Sequence, residues 1–119
     1  MITVSPDNNK FRIEGDMLYN ISNGKKLVAD LKAYKLTAST VPQGATTIGD
    51  MAYYNCQSLT SVSLPSTLTS IGAYAFNGCT NLKTVNYAGT VEAAKNLFQN
   101  IYFSNGTVIN CSDGTYTIS

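Results

Sequence analysis

With 119 residues, 44% of them hydrophobic and only 13% charged, the chain is long enough for one folded domain and too apolar for a disordered one. A net charge of +1 provides no field that would favour nucleic acid or an anionic membrane surface, which sets both aside as partners. The lack of any histidine excludes a Ser-His-Asp or Cys-His catalytic site within the chain.

The first third, residues 1–35, carries six of the eight positive charges, at Lys10, Arg12, Lys25, Lys26, Lys32 and Lys35, interleaved with Asp7, Glu14, Asp16 and Asp30. Its stretch "FRIEGDMLYNISNGKKLVADL" alternates around Asn23-Gly24, a two-residue hairpin signal, and predicts a strand-and-hairpin cap. From Leu36 onward the sequence repeats. "IGDMAYYNCQSLTSV" at 48–62 recurs as "IGAYAFNGCTNLKTV" at 71–85, and stepping 23 residues aligns Leu36, Leu59 and Leu82. The same step aligns Val41, Leu64 and Tyr87, and pairs Pro42 with Pro65. A fixed period in this range with an LxxLxL-like core predicts a leucine-rich repeat solenoid over 36–90, because one such unit cannot bury its apolar face alone.

Within each unit, alternation sets the faces. In "LTSVSLP" Val62 and Leu64 point one way and Ser61 and Ser63 the other, until Pro65 ends the strand. The strands at 37–41, 60–64 and 83–87 are expected side by side in one parallel sheet. Gly72 then permits a bend into a short helical segment with Ala75, Phe76 and Cys79 inward. Several positions depart from the pattern: Ser39 stands where Val62 and Val85 stand later, Ala45 where Leu68 does, and Tyr53 replaces the Phe found at Phe76. Met51 takes the place held by Tyr74, and both Tyr53 and Met51 are apolar enough to remain in a core. Beyond the repeats, residues 91–119 predict a second cap. "GTVEAAKNLFQNI" reads as a helix starting near Thr90 or Val91 with Leu97, Phe98 and Ile101 inward, and "GTVINCSDGTYTI" as a hairpin around Asp113-Gly114. The fold expected is an α+β repeat protein comprising the single domain 1–119, a short solenoid with parallel strands on one face, short helical segments on the other and β-hairpin caps at both ends.

The units "IGDMAYYNCQSLTSVSLPSTLTS" and "IGAYAFNGCTNLKTVNYAGT" resemble the BspA-like leucine-rich repeats of bacterial surface proteins, with flanks similar to "NNKFRIEGDMLYN" and "NCSDGTYT". The resemblance implies a surface or secreted protein of a host-associated microbe, with binding to host matrix or plasma proteins and to other cells in some members. The hydroxyls and amide of the sheet face add a glycan as a candidate ligand class. No apolar run approaches the roughly 18 residues of a membrane span and no signal-peptide pattern opens the chain, so an exported protein would have lost its leader or be represented here by a fragment.

Chemistry is sparse. The three cysteines, Cys56, Cys79 and Cys111, form neither CxxC pairs nor a closed disulfide framework, and read as small buried fillers that stay reduced. Asp113 near Cys111 raises a thiol pKa and does not activate it. The acids Glu14, Asp16 and Asp30 read as solvated surface, and "DNN" and "SDG" as turns lacking the ligand spacing of a calcium loop. Neither metal, cofactor nor catalytic residue is expected. The candidate binding residues are those whose parity opposes the core: Thr40, Ser61, Ser63, Thr84 and Asn86, with Ala38 as an apolar first rung. Tyr54, outside the repeat pattern, is the aromatic expected at the surface. Three readings stand beside one another: a binding or adhesion module acting through the sheet face, a structural spacer with no ligand of its own and, more distantly, an enzyme.

Overall fold

In the computed structural model, residues 10–14, 17–21, 24–30 and 35–118 are described. Ten strands and one helix are distinguished among them: β1 (Phe11–Glu14), β2 (Met17–Asn20), β3 (Lys26–Asp30), β4 (Ala38–Thr40), β5 (Thr47–Ile48), β6 (Ser61–Leu64), β7 (Ser70–Ile71), β8 (Thr84–Tyr87), α1 (Val91–Leu97), β9 (Val108–Cys111) and β10 (Gly114–Thr117). They form two sheets, ordered β1-β2-β3-β5-β7 and β10-β9-β8-β6-β4. The second sheet contains the repeat strands: β4, β6 and β8 pair in parallel with Ser39 opposite Val62 and Val62 opposite Val85, the 23-residue step made physical.

Alternation places Val62, Leu64, Val85 and Tyr87 in the core, with Leu59 and Leu82 beneath the strand starts and Leu68 on the return leg. The polar residues bind the coils together. Thr60 Oγ1 donates to Thr37 O (2.9 Å), Thr69 Oγ1 to Thr46 O (3.0 Å) and Thr67 Oγ1 to Ala45 O (2.7 Å), each linking a coil to the one before it. Asn81 Nδ2 donates to Gln57 O (2.7 Å) and the Ala73 amide to Asp50 Oδ1 (2.9 Å). The wealth of hydroxyls and amides in the composition is therefore in part a set of coil-to-coil bonds.

The legs opposite the repeat strands are turns. At 49–56 and 72–79 the backbone makes i→i+3 bonds, such as Cys56 N to Tyr53 O (3.2 Å) and Cys79 N to Phe76 O (3.2 Å), and alternates them with bonds between coils, such as Tyr53 N to Ala75 O (2.8 Å). The short helical segments expected here do not form, because each leg contains two left-handed residues: Met51 (φ 59°) and Asn55 (φ 58°) in the first, Tyr74 (φ 58°) and Gly78 (φ 82°) in the second. A right-handed helix cannot run through such positions. The same geometry turns Met51 and Tyr74 outward, to 53% and 58% exposure, which corrects the expectation that Met51 stays in the core. Gly72 serves close approach and not the bend: a Cβ there would collide with the backbone of Asp50, one coil away.

Ser39 and Tyr53, two of the departures from the repeat, meet. Both are buried, and their hydroxyls lie 2.9 Å apart in a hydrogen bond across the first coil. Ser39→Val is expected to cost about 1–3 kcal/mol by depriving the buried phenol of this partner, and adding Tyr53→Phe should recover most of the loss. Chemical denaturation of the two single variants and the double variant measures the coupling.

At the first end, β1, β2 and β3 form an antiparallel meander whose third strand pairs in parallel with β5. Asn20 pairs with Lys26, and Gly24 in the segment between them has φ 81°. Asn23 and Asp16 lie outside the described residues. Glu14 pairs with Lys25 at 2.6 Å in an exposed contact. At the other end, α1 is capped by Thr90, whose Oγ1 accepts from Ala93 N (3.1 Å). A step of 23 from Ser70 and Ile71 reaches Ala93 and Ala94, so this helix stands where a third coil would place its second strand. The β9–β10 turn residues are Ser112 and Asp113, one place earlier than Asp113-Gly114, since Cys111 pairs with Gly114. Phe98 is buried, while Leu97 and Ile101 are half-buried against the core.

Candidate binding face

The outer surface of the second sheet is set by parity and by register. Because paired residues share a face, the strand partners line up as two rows: Ala38, Ser61, Thr84, Val108 and Thr117 in one, and Thr40, Ser63, Asn86, Asn110 and Thr115 in the other. Thr40 and Asn86 are exposed and Ser61, Ser63 and Thr84 half-buried, so all five candidate residues lie on this one face. Asn110, Thr115, Val108 and Thr117 extend it. Sequence reasoning missed these four: the C-terminal hairpin was legible as a hairpin, but its parallel pairing to β8 was not, and the cue available was the alternation of "TVINC" in step with "KTVNY".

The face carries no charge among its ten positions. Its second row is tied by side-chain bonds: Asn110 Nδ2 donates to Asn86 Oδ1 (3.0 Å), and Asn86 Nδ2 to Ser63 Oγ at the longer distance of 3.5 Å. These bonds orient the side chains of the row, which keep further amide and hydroxyl groups on the same face. At the C-terminal ends of β4 and β6 the row opens into a shallow hollow of about 230 Å³, whose lining includes Thr40, Pro42, Gln43, Ser63 and Pro65.

Elsewhere the chemistry stays quiet. Burial, then the Asp113 carboxylate, pushes the Cys111 thiol up from its ordinary value, as expected for a thiol that is not activated. Burial likewise raises Tyr116 and Tyr87. Asp113 also accepts the Val91 amide at 2.8 Å, which fastens the hairpin turn to the start of α1. Among the described residues no group of three or more Cys, Asp or Glu side chains gathers into a metal site, and no helix is long and apolar enough to cross a membrane. On the turn side Tyr54 is exposed, beside Met51 and Tyr74 on their left-handed corners.

Compared with known families, residues 31–119 match the model of the BspA type leucine-rich repeat region. The chain belongs to this family. Among solved structures, the repeat protein is similar to a leucine-rich cell surface protein from Faecalibacterium prausnitzii A2-165, at 27% identity and a TM-score of 0.59 over 70% of this chain and 24% of that one. It is also similar to a T. pallidum leucine-rich repeat protein, at 26% identity and a TM-score of 0.51 over 66% of this chain and 39% of that one. A leucine-rich repeat protein from Bacteroides capillosus ATCC 29799 shares the fold at 19% identity and a TM-score of 0.55, over 67% of this chain and 75% of that one. The BspA-type chain thus spans about a quarter of the length of the F. prausnitzii protein. No curated protein matches it.

Proposed function

We propose that this leucine-rich repeat domain is a non-catalytic binding or adhesion module of a bacterial cell-surface or secreted protein, engaging a protein or glycan on a host or neighbouring cell through the outer face of the second sheet. The observation that carries the reading is the charge-free surface of short hydroxyl and amide side chains, held in two rows by strand register and by the Asn110–Asn86–Ser63 bonds. Short side chains lose little rotamer entropy when a partner is seated. Without charge there is little steering, so affinity should be modest, nearly independent of salt, and multiplied by several copies acting together. The similarity to a bacterial cell surface protein supports the location. A second reading, a spacer that holds other segments away from the cell and binds nothing, is favoured by the same side-chain bonds, since they also join neighbouring strands to one another.

The test is a screen of matrix proteins and glycans with the wild-type domain and with a variant carrying Ser61→Lys, Ser63→Lys and Thr84→Lys together. Binding reduced at least tenfold in the variant, with an unchanged circular dichroism spectrum, is the expected result, about 1.4 kcal/mol or more by the usual conversion. Equal binding by both would move the site off the sheet, and a screen without partners would favour the spacer.

A further inference from the structure

Cys56 and Cys79 occupy the same station of successive coils, 23 residues apart. Just before them Asn55 N donates to Asn77 O and Tyr53 N to Ala75 O, both at 2.8 Å, so the two coils run here as parallel neighbours in register. Neighbouring strands bonded in this way stand about 4.7–4.9 Å apart. That spacing lies inside the range of about 4.4–6.8 Å between Cα atoms that a disulfide spans and somewhat beyond its range of about 3.5–4.5 Å between Cβ atoms, so closing the bond draws the two turn legs slightly together. Both side chains are buried in the core, at 5% and 4% exposure, and neither is in a disulfide. Cys79 Sγ donates to Tyr53 O at 3.0 Å, while Cys56 Sγ reaches Tyr54 O only at 3.9 Å. Neither side chain has a part in the proposed binding face, which lies on the far side of the coil.

We propose that Cys56 and Cys79 are a redox pair, a buried dithiol that a low-molecular-weight disulfide such as oxidised glutathione converts into a covalent clamp between the first and second coils. In the first step the Cys79 thiolate attacks one sulfur of the oxidant, breaking its S–S bond and releasing one glutathione thiolate. The Cys56 thiolate then attacks the Cys79 sulfur of the mixed disulfide and displaces the second glutathione. Two thiol protons are lost, the protein sulfurs give up two electrons, and the oxidant leaves as two reduced thiols. Contact with the Cys56 side chain lowers the pKa of Cys79 against the opposing effect of burial, which helps the pair to a thiolate. Access requires local opening of the turn leg and not unfolding of the sheet. Cys111 competes poorly, because burial and Asp113 disfavour its thiolate.

The experiment uses the full chain treated with oxidised glutathione, then denatured, blocked with N-ethylmaleimide and digested with trypsin. No lysine or arginine lies between Lys35 and Lys83, so a single peptide, 36–83, holds both cysteines. That peptide should emerge unlabelled and two hydrogens lighter than its reduced form, with Cys111 labelled. The unfolding temperature should rise and return on reduction. Cys111→Ser should behave as the parent does, and Cys56→Ser should yield no lighter peptide. Recovery of 36–83 with two labels, a lasting glutathione adduct on either cysteine, or disulfide dimers through Cys111 with the pair still labelled would overturn the proposal. A link that lowers the unfolding temperature would overturn the clamp.

Discussion

Replacing Phe76 by alanine is expected to destabilise the domain by about 3–5 kcal/mol, the range for deleting a buried aromatic ring. The ring stacks on Tyr53 of the preceding coil, with centroids 5.3 Å apart and planes 6° from parallel, and tilts against Phe103 at 5.5 Å. Phe103 meets Phe98 edge-on at 5.4 Å, and Phe98 meets Tyr87 at 5.8 Å. This column passes from the first coil through the second to the C-terminal segment, so an alanine at 76 opens a cavity that separates both neighbours and that no adjacent side chain can refill without breaking the register. Domains of this kind have about 5–15 kcal/mol in total, so the loss is a large share of stability. Urea unfolding followed by tyrosine emission, the chain having no tryptophan, measures it. A loss below about 1.5 kcal/mol would mean that the column is not a joint between coils.

Gly72→Val should cost about 3 kcal/mol, the upper end of overpacking, for a reason unrelated to backbone freedom. Its added atoms would meet the Asp50 backbone and carboxylate, and the Gly49 carbonyl carbon at 2.7 Å. The coils cannot part to make room without giving up three bonds that cross the same gap: Gly72 N to Ile48 O (2.7 Å), Ala73 N to Asp50 Oδ1 (2.9 Å) and Met51 N to Ala73 O (3.0 Å). Hydrogen exchange at the Met51 and Ala73 amides should accelerate alongside the stability loss. Unchanged exchange with an unchanged unfolding midpoint would contradict the close approach.

What the sequence made legible was what the period carries. Leu36, Leu59 and Leu82 fixed the register of β4, β6 and β8, and alternation around Val62 and Leu64 fixed which side chains face out. The turn legs were misread because Ala75, Phe76 and Cys79 sit at spacings that suit one face of a helix equally well. The deciding left-handed residues, Met51 and Tyr74, are types that ordinarily avoid positive φ. The Ser39–Tyr53 bond was visible only as two unconnected departures, since pairing residues 14 apart requires knowing how the coil closes. Phe103 and Thr107, both buried, fall where the period has decayed. Thr107 Oγ1 donates to Leu82 O at 3.2 Å, continuing the threonine-to-carbonyl habit of the repeats without their spacing. The candidate face was likewise read for its three repeat strands, and the contribution of β9 and β10 depended on a sheet that continues across a change of strand direction.

The location of binding is tested most directly by mapping amide chemical-shift changes on the labelled domain as it is titrated with a partner recovered from the screen. Changes concentrated at Ser61, Ser63, Thr84, Asn86 and Asn110, with those of Met51, Tyr54 and Tyr74 unmoved, are the predicted result. Changes centred on Met51, Tyr54 and Tyr74, with the sheet amides still, would contradict it and move recognition to the exposed aromatic corner on the turn side.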